Sequence, residues 1–271
     1  MNERLGFSVN ALLPKARSGG ALKMGLAALS EAQWLQPDPD LALRKAAFDA
    51  HPDAVCLSPE GLAPGAELAA MLGTSGGLEA AARAAWEDMC LLEMAKGEDI
   101  YRLTGAAVAF PTDWNPADKL GLPLSALHAP IHGYREQLAS GVDHFMASLK
   151  PGRIFGRCNW FVAPTCALRW RSARKGADGF AGVTDANAGE RLFVRCERQT
   201  LRRLPQTGAI VFTIGIYVSP LALLTPDNGL RLAQALATIP QAEAERRRTK
   251  SFAPALANWV KQQNQAHEKP A

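Results

Sequence analysis

Apolar positions recur along this chain with two different periods. From Leu78 to Ala95, the residues Leu78, Ala81, Ala85, Met89 and Leu92 return every three or four places. Glu87, Asp88 and Glu93 lie off that stripe, so the spacing predicts an amphipathic helix stopped by Gly97. Tyr134 to Leu149 repeats the pattern through Leu138, Val142, Phe145 and Met146, ending at Pro151-Gly152. A period of two, or a short continuous apolar run, marks strands at Tyr101 to Phe110, Ile154 to Ala163, Thr165 to Arg171, Arg191 to Leu201 and Ala209 to Val218. Short helical segments fill Gly121 to Pro130, a polar loop spans Gly176 to Gly189, and the tail from Pro226 is helical. Strands gathered towards the end, after a block of helices, predict an α+β fold. Residues 1–77, rich in Ala, Leu, Pro and Gly with a short helix at Ala42 to Ala50, read as an extension packed on a core of 78–220. Residues 221–271 form a helical tail.

Composition narrows the class. The 271 residues are 48% hydrophobic and 21% charged, ordinary values for a folded protein of this length. A net charge of +4 is too small to imply nucleic acid, and Arg246, Arg247, Arg248 and Lys250 read as a solvated helix face. The five cysteines include no CxxC pair and no accompanying histidine cluster, which predicts neither a disulfide framework nor a zinc site. Charge, Pro and Gly interrupt Asn2 to Gly20, and no run is apolar enough to span a bilayer. The expectation is a cytoplasmic protein without a membrane segment.

Five charged residues fall within the nine positions Arg195 to Arg203, inside a predicted strand. Alternation puts Leu192, Val194 and Cys196 on one face, and Phe193, Arg195, Glu197 and Gln199 on the other. This row reads either as a structural ion network or as polar groups facing a ligand. In the next strand Ile210, Phe212, Ile214 and Ile216 share one side, and Val211, Thr213, Gly215 and Tyr217 the other. A strand glycine such as Gly215 marks either a bulge or the close approach of another group. His128 and His132 sit in a proline-framed segment ahead of Tyr134, and His144 lies in the helix after it. One axial imidazole is all that haem iron requires of a protein, and the absence of CxxCH argues against covalent attachment.

Several phrases resemble the haem-dependent oxidative N-demethylase family, alpha subunit. They are Trp86-Glu-Asp-Met-Cys-Leu-Leu92, Phe110-Pro-Thr-Asp-Trp114, Lys119-Leu-Gly-Leu-Pro-Leu124, His128-Ala-Pro130 and Arg157-Cys-Asn-Trp160. Glu197-Arg-Gln-Thr-Leu-Arg-Arg-Leu-Pro205, followed by Gly208-Ala-Ile-Val-Phe-Thr-Ile214, completes the set in order. The resemblance implies a PAS-like antiparallel sheet with a central helical block, binding haem b. It implies His128 as iron ligand, ahead of His132 and His144, and Arg157, Trp160, Arg198 and Gly215 as cofactor contacts. Glu197, Thr213 and Tyr217 are the candidate catalytic groups near a substrate amine.

The implied reaction oxidises a small secondary amine such as dimethylamine with dioxygen and NADPH-derived electrons. No dinucleotide fingerprint or cluster-binding cysteine set occurs here. FMN, the 2Fe-2S cluster and tetrahydrofolate are therefore expected only on separate reductase subunits. The chain departs from the family pattern in two places, with His132 replacing a proline and Gly215 replacing a basic residue. The second departure makes a haem-binding sensor without turnover the alternative reading. An Arg-rich module for RNA or a protein partner is a third, weakened because few strand aromatics accompany the arginines.

Overall fold

The structure is a computed structural model that describes residues 5–16, 24–94, 97–98, 100–129, 133–171 and 179–268. Its strands are β1 (Ala27–Leu29), β2 (Val55–Leu57), β3 (Asp88–Met94), β4 (Tyr101–Ala107), β5 (Ile154–Ala163), β6 (Phe193–Arg203) and β7 (Ile210–Pro220). They form one antiparallel sheet in the order β1-β5-β6-β7-β3-β4-β2. With helices covering both faces, the fold is α+β. The long strands β5, β6 and β7 arise where β-branched and aromatic residues alternate, and their continuous registers fix which side chains share a face.

One face carries Cys158, Trp160, Val194, Cys196 and Tyr217. They pack against Leu5, Val9 and Leu12 and against Leu232, Phe252, Leu256 and Val260 of the C-terminal helical segments. The opposite face carries Cys90, Leu92, Leu201 and Ile210 beneath Leu124, Met146 and Leu149, which come from the helical block between β4 and β5. A third cluster joins Met89, Leu91 and Val211 to the helices Leu41–Ala50, Leu62–Met71 and Leu78–Arg83.

The structure corrects several readings. The helix expected from Leu78 to Ala95 stops at Arg83, and Asp88–Met94 becomes β3, in the middle of the sheet. Both faces of β3 are buried, so its residues lack the alternation that would have marked it as a strand. Glu87 and Asp88, expected on a solvent face, are buried. The expected strand Thr165 to Arg171 makes only one isolated bridge, Trp170 to Thr112. The carbonyls of Ala167 and Leu168 accept instead from the Arg195 guanidinium.

The expected helix Tyr134 to Leu149 is two helices, Tyr134–Gln137 and Ala139–Ser148, broken at Leu138. Residues before the core supply both edge strands, β1 and β2. The Arg246 and Arg247 side chains lie over the Phe161 ring instead of pointing freely into solvent. Among the described residues, no helix is long and apolar enough to cross a membrane.

Candidate functional site: a cavity between the sheet and the helical block

Between the inner face of the sheet and the helical block lies a narrow cavity of about 70 Å³, open at one side. Leu92, Leu201 and Phe212 form the sheet wall, while Leu124, Leu138, Val142, Phe145 and Met146 form the helical wall. Leu138, Val142 and Phe145 are only half-buried, and within Ala139–Ser148 only Met146 is buried. An apolar helix face packed this thinly is short of contacts on its inner side.

His128 closes the helix Leu124–Leu127 and lines the cavity. Its Nδ1 lies 2.9 Å from the Leu124 carbonyl oxygen. A carbonyl can only accept, so Nδ1 carries the proton and Nε2 keeps the bare lone pair. Burial lowers the imidazole's affinity for a second proton; the Leu124 contact opposes this, and the charges of Arg157 and Lys119 add to it. A neutral, oriented ring with its outer nitrogen bare is the form that binds a metal, and the hydrogen bond on the other nitrogen fixes its tautomer.

Polar groups enter from the sheet. Arg157 Nε donates to Gln199 Oε1 at 2.8 Å, and Gln199 Nε2 donates to Glu197 Oε2 at 3.1 Å. Arg157 and Gln199 line the cavity, and Glu197 is reached through Gln199. One histidine, apolar walls, a cation and a buried amide suit an iron porphyrin with carboxylate side arms.

The structure thus brings His128 and Arg157 to one cavity, with Glu197 behind them. It places Trp160, Arg198, Thr213, Gly215 and Tyr217 on the opposite face of the sheet, as the pairings Trp160 with Cys196, Arg198 with Gly215 and Thr200 with Thr213 require. There Arg198 donates to the carbonyls of Leu5, Trp34 and Gln33. Thr213 shares a 2.6 Å hydrogen bond with Thr200, and the Tyr217 hydroxyl donates to Gln36 at 2.9 Å. The Trp160 carbonyl accepts from Arg247 at 2.7 Å. Gly215 is bare because the Tyr217 ring folds back over it; an added Cβ would stand 3.0 Å from Tyr217 Cε2. His144 is exposed, and His132 lies outside the described residues.

Arg44 had no signal in the sequence. It is fully buried, pairs with Asp88 at 3.0 Å and donates to the carbonyls of Ala82, Trp86 and Glu87. Asp88 also accepts from the backbone amides of Ala109 and Phe110. Burial pushes the Asp88 carboxyl up and the guanidinium down, while their attraction opposes both shifts. Asp88 of the Trp86–Leu92 phrase therefore ties β3 to the helix Leu41–Ala50, while the Glu87 carboxylate accepts from the Gln36 amide. The family model described as "Haem-dependent oxidative N-demethylase, alpha subunit-like" matches residues 66–257.

Proposed function

This chain belongs to the haem-dependent oxidative N-demethylase alpha-subunit-like family, and we propose that its cavity takes an iron porphyrin, with His128 as the residue that would bind the iron. The observation that carries this reading is the hydrogen bond from His128 Nδ1 to Leu124, which leaves Nε2 bare on a neutral ring at the cavity wall. The inner strands support a PAS-like arrangement: β3 and β4, a helical block, then the three long strands β5, β6 and β7 with the cavity beneath the block.

Arg157 holds a carboxylate of the porphyrin by charge and hydrogen bonding. Glu197 draws a cationic amine towards the cavity, with Gln199 between them. The apolar walls exclude water from the reacting groups. Bound haem would supply the electron transfer and dioxygen chemistry that no side chain here provides. The overall change is that of a small secondary amine such as dimethylamine. With dioxygen, two electrons and two protons it gives the primary amine, formaldehyde and water. The alpha-subunit-like family implies a multi-subunit oxidase. NADPH-derived electrons would then come from separate flavin and iron–sulfur subunits, and tetrahydrofolate would likewise sit outside this chain. Gly215 lies away from the cavity wall, so its lack of a basic side chain gives the sensor reading no support there.

Titrating purified protein with hemin is the test. A saturable Soret band with an imidazole-ligated spectrum is expected, lost in His128→Ala and restored by added imidazole. An identical spectrum in His128→Ala would remove His128 from the iron.

A further inference from the structure

The cavity wall also contains a buried phenol that the amine chemistry leaves without a task. Tyr134 is the first residue of the helix Tyr134–Gln137 and follows Gly133, whose left-handed backbone (φ 76°) turns the chain inward. Its ring stacks on the His128 imidazole, with centroids 4.3 Å apart and planes 13° from parallel. Only 5% of the residue is exposed, and its hydroxyl is buried with no hydrogen-bond partner among the described residues. A buried hydroxyl left unpaired is costly, so its presence calls for an acceptor that arrives with the ligand.

We propose that the Tyr134 hydroxyl, together with Arg157, is a donor site for a carboxylate of the bound porphyrin, while the Tyr134 ring holds the His128 imidazole in plane. This rests on the haem reading above. Both residues line the same cavity as His128. A phenol is an O–H donor at neutral pH, and this one is buried beside the imidazole. Arg157 supplies the matching positive charge. A neutral donor stacked on the ligand imidazole and a cation from β5 together suit one anionic arm next to the iron site.

Two measurements on Tyr134→Phe test this, because they should move in opposite directions. The variant keeps the stacked ring and loses only the hydroxyl. Without hemin, its thermal stability should equal or exceed that of the parent, because an unpaired buried group has gone. With hemin, its dissociation constant should rise roughly 10-fold, the usual worth of a hydrogen bond to a charged acceptor. That difference should disappear with hemin dimethyl ester, which lacks free carboxylates. Tyr134→Leu, which also removes the stack, should additionally alter the electron paramagnetic resonance of the ferric complex.

A hemin affinity unchanged in Tyr134→Phe overturns the donor role. A fall in hemin-free stability overturns it too, because the hydroxyl would then already be paired. A difference that persists with the ester moves the acceptor away from the carboxylate. An unaltered resonance in Tyr134→Leu overturns the role given to the ring. If the parent protein binds no hemin at all, the haem reading fails first and this inference with it.

Discussion

At the scale of single residues, burial sets the proton chemistry. His128 is held below its usual value of about 6.5, chiefly by burial. Between the lowered value and about 6.5, the unfolded chain takes up a proton that the fold refuses. Stability is therefore present above about 6.5 and is lost as pH falls from there towards the folded value. Hemin competes with the same proton, so its affinity should stay level from about pH 8 to about 6.5 and weaken only in more acidic buffer. A titration series across that range checks it.

Arg44→Met should cost about 3–5 kcal/mol in urea unfolding, because it strands the Asp88 carboxylate in the interior. His128 was legible as a candidate because haem asks so little of a sequence. Tyr134 was not: a lone tyrosine at a helix start has no pattern. Arg44 meets Asp88 only through tertiary packing, which leaves no local trace.

At the scale of elements, the sequence was readable wherever one period held without competition. Ile154–Ala163 appears as a strand with the limits predicted, and β6 and β7 shift from theirs by only one or two residues at either end. Leu78 to Ala95 was misread because alanines suit a helix while the β3 residues face apolar neighbours on both sides. Pairing with β4 and β7 then overrides local spacing. Alternation placed Arg195, Glu197 and Gln199 on one face, as the register has them, but it could not say which face held the cavity, so Arg157 and Arg198 are grouped although they lie on opposite faces. The helix Ala139–Ser148 buries only Met146, so its amides should exchange faster than those of β6 and β7 without hemin. Hemin should slow exchange in that helix most, a difference readable by mass spectrometry.

At the scale of the whole molecule, the segments before residue 66 are tied to the sheet by charged side chains. Arg198 is satisfied by the carbonyls of Leu5, Gln33 and Trp34, Arg202 pairs with Glu31 at 2.7 Å, and Asp88 depends on Arg44. A fragment of residues 66–257, the part that the family model matches, should therefore fail to give a cooperative melt even though it retains His128, Tyr134, Arg157 and Gln199 of the cavity wall. Circular dichroism on heating distinguishes the two outcomes.

The margins of the sheet have a consequence for assembly. β1 and β2 are three residues each. Beyond β1, Arg247 occupies the Trp160 carbonyl on the outer rim of β5. Beyond β2, Leu103 exchanges hydrogen bonds with Gly121 and Leu122, and Ser58 donates to the Thr104 carbonyl. A neighbouring polypeptide thus meets a border that is short and partly occupied, which leaves contact with a further subunit to side chains on the helices and loops.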